Sequence, residues 1–69
     1  MGTEELRKEK RMAIVKQQYI SINTSFNEVC KNAKISTSVY QRFLEGGNTT
    51  TKNLEKIAAA LQVSPGDIL

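Results

Sequence analysis

The sequence predicts an all-α fold, a compact bundle of about five short helices. Three observations predict it. Apolar residues recur at helical spacing, most cleanly at Leu54, Ile57, Ala58 and Leu61, which follow i, i+3, i+4, i+7. No run alternates apolar and polar residues long enough for a half-buried strand. The breakers are few (Gly2, Gly46, Gly47, Pro65, Gly66), and they fall at the edges of the periodic segments.

The first helix is expected over about 4–20. Thr3 stands as its N-cap, and Glu4 and Glu5 lie where the helix dipole favours anions. Residues 4–11 (EELRKEKR) carry a single apolar side chain, Leu6, so this charged part is expected to be exposed. From Met12 onward an apolar stripe forms, with Met12, Val15, Tyr19 and Ile22 on one face. Ser21 to Thr24 connect to a second, shorter helix over about 26–33. Its start, Ser25-Phe26-Asn27-Glu28, has capping-box spacing: the Ser hydroxyl accepts an orphan N–H and the Glu reaches back. Lys34-Ile35-Ser36 makes a tight turn, and Ser36 caps a third helix over about 37–45. Gly46-Gly47 stops that helix, because glycine accepts the left-handed conformation of a helix C-terminus. One of Thr49, Thr50 and Thr51 caps the fourth helix, about 51–61. Ser64-Pro65-Gly66-Asp67 supplies the cap, first-turn proline and first-turn acid of a fifth, barely one turn long.

At 69 residues the chain is expected to be one domain, 1–69, with a core that is marginal unless its helices pack well. A single cysteine allows no intrachain disulfide. Without histidine, a zinc site lacks its usual ligands, and the commonest general base is missing. No glycine-rich phosphate loop or activated nucleophile is present, so an enzyme is not expected, nor any cofactor or metal. No apolar run approaches a membrane span. The lone thiol fits a reducing, cytoplasmic setting. Ten Lys+Arg against seven Asp+Glu give +3, with a pI near 9.3. This mild basic excess is compatible with an anionic partner.

Two short helices joined by a three-residue turn have the geometry of a helix-turn-helix. Over Ser25-Phe26-Asn27-Glu28-Val29-Cys30-Lys31-Asn32-Ala33-Lys34-Ile35-Ser36, continuing through Thr37-Ser38-Val39-Tyr40-Gln41-Arg42-Phe43-Leu44-Glu45-Gly46, the chain resembles the lambda-repressor-like (Cro/XRE-type) helix-turn-helix family. Leu54-x-x-Ile57-Ala58-x-x-Leu61-x-Val63-Ser64-Pro65-x-Asp67-x-Leu69 is similar to that family's fourth helix and the start of its fifth. The resemblance implies sequence-specific binding of double-stranded DNA by a repressor-like transcriptional regulator of bacterial or phage type. The third helix would lie in the major groove, with half-sites about 34–36 Å apart for a homodimer. In relatives the dimer surface often involves the fifth helix or a following region, which this sequence does not include.

The resemblance places the DNA-facing positions on Ser36, Thr37, Ser38, Gln41 and Arg42, and a further contact on Asn48 in the following loop. Gln pairs bidentately with adenine and Arg with guanine, so Gln41 and Arg42 lead as base readers. The bland reading of Thr37 and Ser38 is helix capping alone; at the start of a recognition helix they are expected to meet phosphate or base edges as well. Glu45 repels phosphate more readily than it reads cytosine and stays outside the main set. Phosphate contacts are expected from Ser25, Asn27, Lys31, Lys34 and Lys52. Two positions depart from the family pattern. Lys34 replaces the usual turn glycine, at a cost on the order of 1 kcal/mol, and Phe26 replaces a glutamine that contacts phosphate.

Other residues have blander expectations. Arg7-Lys8-x-Lys10-Arg11, interrupted by Glu9, is expected to be a solvated helix face. Cys30 is expected as a small buried residue, and Tyr40 and Phe43 as core. The alternative function is a protein-interaction or antitoxin-like adaptor module using the first and fourth helices. The length of the Met12/Val15/Tyr19/Ile22 stripe motivates it.

Overall fold

Residues 2–69 are described in a computed structural model; Met1, the first residue of the expected 1–69 domain, lies outside the described residues. Four α-helices follow one another: α1 (Thr3–Ser21), α2 (Phe26–Ala33), α3 (Thr37–Leu44) and α4 (Thr51–Leu61), closed by one 3-10 turn, Pro65–Ile68. There are thus four helices rather than five. Only four residues separate Ser64 from Leu69, and the tighter i→i+3 turn fits that length. Its start is held by the Ser64 N–H, which donates to Asp67 Oδ2 at 3.3 Å.

Thr3 is not the cap of α1. Gly2 takes the extended cap conformation, and its carbonyl accepts from the Glu5 and Leu6 N–H groups at 3.2 and 3.4 Å. Glycine is nearly as good a cap as threonine, so the extra turn costs little. Elsewhere the predicted caps are in place. Ser25 Oγ accepts from Glu28 N–H at 3.4 Å, Ser36 Oγ from Val39 N–H at 3.2 Å, and Thr50 Oγ1 from Asn53 N–H at 3.1 Å. Only the first half of the capping box at Ser25 forms; the return bond from the Glu28 side chain is not made.

α2 packs chiefly on α4, and the closing turn wedges against both α4 and α1. The fully buried side chains are Val15, Val29, Tyr40, Phe43, Ile57, Leu61 and Ile68, with Leu44, Leu54 and Ala58 around them. Met12 and Tyr19 pack against this core from α1. α1 is about 28 Å long at 1.5 Å per residue, and the molecule measures 32 Å along its longest axis. The short helices therefore form a body that α1 spans from end to end.

Two polar links tie α1 to the rest. Gln18 Nε2 donates to the Leu61 carbonyl at 2.8 Å, satisfying an orphan acceptor at the end of α4. The Tyr19 and Tyr40 hydroxyls lie 2.9 Å apart, and burial raises both phenols above their ordinary range. The third link contradicts the solvated basic face expected for residues 7–11. Arg11 is 3% exposed. Its Nε donates to the Ile68 carbonyl at 3.0 Å, and one Nη donates to the carbonyls of Phe43 (2.7 Å) and Gly47 (3.0 Å). The guanidinium also sits 4.3 Å from the Phe43 ring centroid, within cation–π range. Burial, and secondarily the nearby Arg7 charge, lower its pKa, yet a guanidinium stays protonated at any ordinary pH.

The α2–α3 turn contains the strain expected of Lys34. That residue is left-handed (φ 58, ψ 47), its N–H donates to the Lys31 carbonyl, and the Ile35 N–H donates to Cys30 at 3.1 Å. This paired 5→2 and 6→1 pattern is a Schellman ending. The same pattern closes α3 at Gly46 and α4 at Gln62, and Asn23 is left-handed after α1.

Two stability predictions follow from these contacts. Arg11→Ala and Arg11→Met should each lose about 3 kcal/mol, since charge-assisted bonds to three carbonyls are broken. Thermal unfolding followed by circular dichroism should fall on the order of 10–20 °C; an unchanged Arg11→Met midpoint would show that the bonds contribute nothing. Lys34→Gly should gain about 0.5 kcal/mol, the relief of left-handed strain less the added chain entropy. A urea titration resolves this, and a loss of stability would contradict the turn geometry.

Candidate nucleic-acid interface

α3 carries two segregated faces. Tyr40, Phe43 and Leu44 point into the core, while Thr37, Ser38, Gln41 and Arg42 are exposed, with the cap Ser36 beside them. Tyr40 is gripped between aromatic neighbours, its ring centroid 4.9 Å from Phe26 and 6.0 Å from Phe43. Phe26 at the family's glutamine position thus contributes packing at the start of α2. All eleven residues expected to contact DNA or its phosphates are exposed.

They do not form one continuous site. An open groove of about 460 Å³ runs between α3 and the start of α4, lined by Ser38, Val39, Arg42, Asn48, Thr49, Thr50 and Asn53. Ser38, Arg42 and Asn48 meet there. Thr37 and Gln41 lie on the outward side of α3 with Ser36 as its cap, Asn27 and Lys31 belong to α2 with Ser25 as its cap, and Lys52 sits in the first turn of α4. Lys34 instead lines a separate groove with Lys56, Ala59 and Gln62, between the end of α2 and the later part of α4.

The α3–α4 groove suits an anion in two respects. The N-terminus of α4 opens beside it, and a helix start presents free N–H groups and positive dipole. Arg42 supplies a guanidinium, and Gly47 makes room for its stem. A Cβ at Gly47 would lie 2.7 Å from Arg42 Cγ and 3.0 Å from the Arg42 carbonyl. Gly46 has a different role. It is left-handed at φ 90, and a side chain there would collide with the Glu4 carbonyl of α1.

Two hydrogen bonds modify the expected contacts. Gln41 Nε2 donates to Glu45 Oε2 at 3.0 Å, so the acid occupies one donor of the leading base reader. Asn48 Oδ1 accepts from an Arg7 Nη at 3.3 Å, bringing α1 to the rim of the groove. Arg7, half-buried, was expected to be merely solvated. Its position is explained by spacing, because Arg7, Arg11 and Val15 follow at i, i+4, i+8 and so share the inward side of α1. The groove residues not anticipated as contacts are Val39, Thr49, Thr50 and Asn53; Thr49 and Thr50 were read only as candidate caps of α4.

The model of the Cro/C1-type HTH DNA-binding domain matches residues 20–69. The chain belongs to that family. No curated protein and no solved structure matches it. The match begins at the end of α1, so the helix that carries Arg7 and Arg11 lies almost wholly outside it. Within the Cro/C1-type match lie α2 and α3, the two short helices joined by the turn at residues 34–36. Among the described residues no cluster of three or more His, Cys, Asp or Glu side chains could hold a metal ion. No helix is long and apolar enough to cross a membrane.

Cys30 of this Cro/C1-type domain is buried on the inner side of α2, and burial raises its thiol pKa. Thiolate is the reactive form, so the thiol is doubly protected. Ellman's reagent should modify Cys30 at least tenfold more slowly in the folded protein than in urea. Equal rates would mean that α2 opens readily.

Proposed function

We propose that the chain is a sequence-specific double-stranded DNA-binding domain of a repressor-like transcriptional regulator, acting in the cytoplasm. α3 lies in the major groove, which admits a single helix. Gln41 and Arg42 read base edges, and Thr37, Ser38 and Ser36 meet base edges or phosphates at the start of the helix. The single observation that carries this reading is the exposed polar face of α3 running into the α3–α4 groove. Arg42 and Asn48 are held there beside the start of α4. Lys52, Lys31, Ser25 and Asn27 add phosphate contacts from the flanking helices, and Lys34 from the turn. A lone domain reads one half-site, so the binding species is a homodimer on a roughly palindromic operator.

The adaptor reading rested on the Met12/Val15/Tyr19/Ile22 stripe. Val15 is fully buried, and Met12 and Tyr19 pack on the core, so that stripe is not a free surface.

The test is selection of duplexes from a random pool, followed by fluorescence anisotropy across several salt concentrations. Arg42→Ala should weaken binding of the selected duplex by about 1–3 kcal/mol, roughly 5- to 150-fold, and relax preference at one base pair. Lys52→Ala should weaken all duplexes alike and reduce the salt slope by about 1. Failure to enrich any sequence, or an Arg42→Ala variant that binds as well as the parent, would overturn the reading.

A further inference from the structure

The face of α1 that points away from the core carries an unpartnered pattern. Among the exposed large hydrophobic residues, Leu6 (69% exposed) and Ile20 (85%) belong to α1. They are seven residues to either side of Ala13, which is also exposed. At 100° per residue, Leu6 and Ile20 fall about 20° to either side of Ala13, so the three form one straight stripe. It lies opposite Arg11 and Val15, the residues that α1 buries.

The charges beside the stripe are also unpaired within the helix. Glu9 has Glu5, Leu6, Met12 and Ala13 at its i±3 and i±4 positions, and Lys16 has Met12, Ala13, Tyr19 and Ile20. Neither has an opposite charge where a helix would place one. Glu9 and Lys16 flank the stripe on one side, and Lys10 and Gln17 flank it on the other.

We infer that α1 is a self-association surface, and that two copies of this chain pair their first helices antiparallel about a two-fold axis at Ala13. That operation sets Leu6 of each copy against Ile20 of the other and brings the small Ala13 residues together, allowing close approach. It also keeps like flanks facing each other. Glu9 lies about 6 Å from the midpoint and Lys16 about 4.5 Å on the opposite side, so inversion brings each Glu9 to the height of its partner's Lys16. The pairing is complementary twice over. Lys10 meets the neutral Gln17 on the other flank, so no like charges are opposed. Leu6 and Ala13 lie outside the family match at residues 20–69, so the surface belongs to this chain's own α1.

The inference supplies a surface for the homodimer proposed above and rests on that two-fold pairing; because it is tested without DNA, its failure leaves the α3 reading standing. So small a stripe gives a weak, concentration-dependent dimer. Sedimentation velocity from about 10 μM to 1 mM should show a monomer–dimer equilibrium. Ile20→Lys and Ala13→Glu, both at exposed positions, should weaken it roughly tenfold or more while circular dichroism shows the helices retained. Glu9→Lys should weaken it about three- to tenfold, and the double swap Glu9→Lys/Lys16→Glu should restore it to within about twofold. A monomer throughout that range, a dimer indifferent to Ile20→Lys, or a double swap that fails to rescue would each overturn the inference.

Discussion

A single buried cation, Arg11, holds the parts of this domain in register. Its three hydrogen bonds end on carbonyls from the last turn of α3, the loop after it and the closing 3-10 turn. These are groups that helix ends leave without partners, and buried carbonyls without donors are costly. The charge has no need of a carboxylate. It is satisfied by oriented dipoles at the negative end of α3 and by the face of Phe43. α1 thus fixes the C-terminal end of α3, while the Tyr19–Tyr40 hydroxyl pair fixes its middle. Chain segments more than thirty residues apart meet at one guanidinium. For a domain with so small an apolar core, that long-range closure does the work a disulfide does elsewhere.

The helix ends show a second constraint. Left-handed residues follow all four α-helices, yet only the one at Gly46 is glycine. Glycine there answers a contact as well as a torsion, because α1 comes so close that no side chain fits. At Asn23, Lys34 and Gln62 only the torsion is demanded, and a larger residue can bear it at modest cost. The distinction explains why the α2–α3 turn tolerates a lysine where a glycine would be easier.

Much of this was legible in the sequence, and the parts that were not share a physical cause. The fourth-helix periodicity, the caps at Ser25, Ser36 and Thr50, and the split of α3 into core and exposed residues depend on local rules. Those rules operate within one or two turns. Arg11 escaped because hydrophobic patterning counts an arginine as outward, although it lies one turn before Val15 on the same side of α1. The missed clue was the spacing. Gly47 looked like part of a helix stop, while its space is taken by the stem of Arg42, a contact set by tertiary approach. The α3–α4 groove was half visible. Arg42 and Asn48 came from the motif, but Thr49, Thr50 and Asn53 enter through how two helices meet. The closing segment was seen as a fifth helix because its cap and proline are right; its length makes it a 3-10 turn.

The segregation of α3 has a consequence for how such a domain can diverge. What holds the helix in place comes chiefly from Tyr40, Phe43 and Leu44, from the Ser36 cap, from the Gly46-Gly47 ending and from the Arg11 clasp. The outward side chains at 37, 38 and 41 contribute almost nothing to holding it. Substitutions there are nearly neutral for folding, so drift and selection can explore them freely. Position 42 is only partly exempt, since its stem and Gly47 must change together. The protein therefore has a rewritable patch on an otherwise inflexible frame, with one hinge of co-variation at its edge.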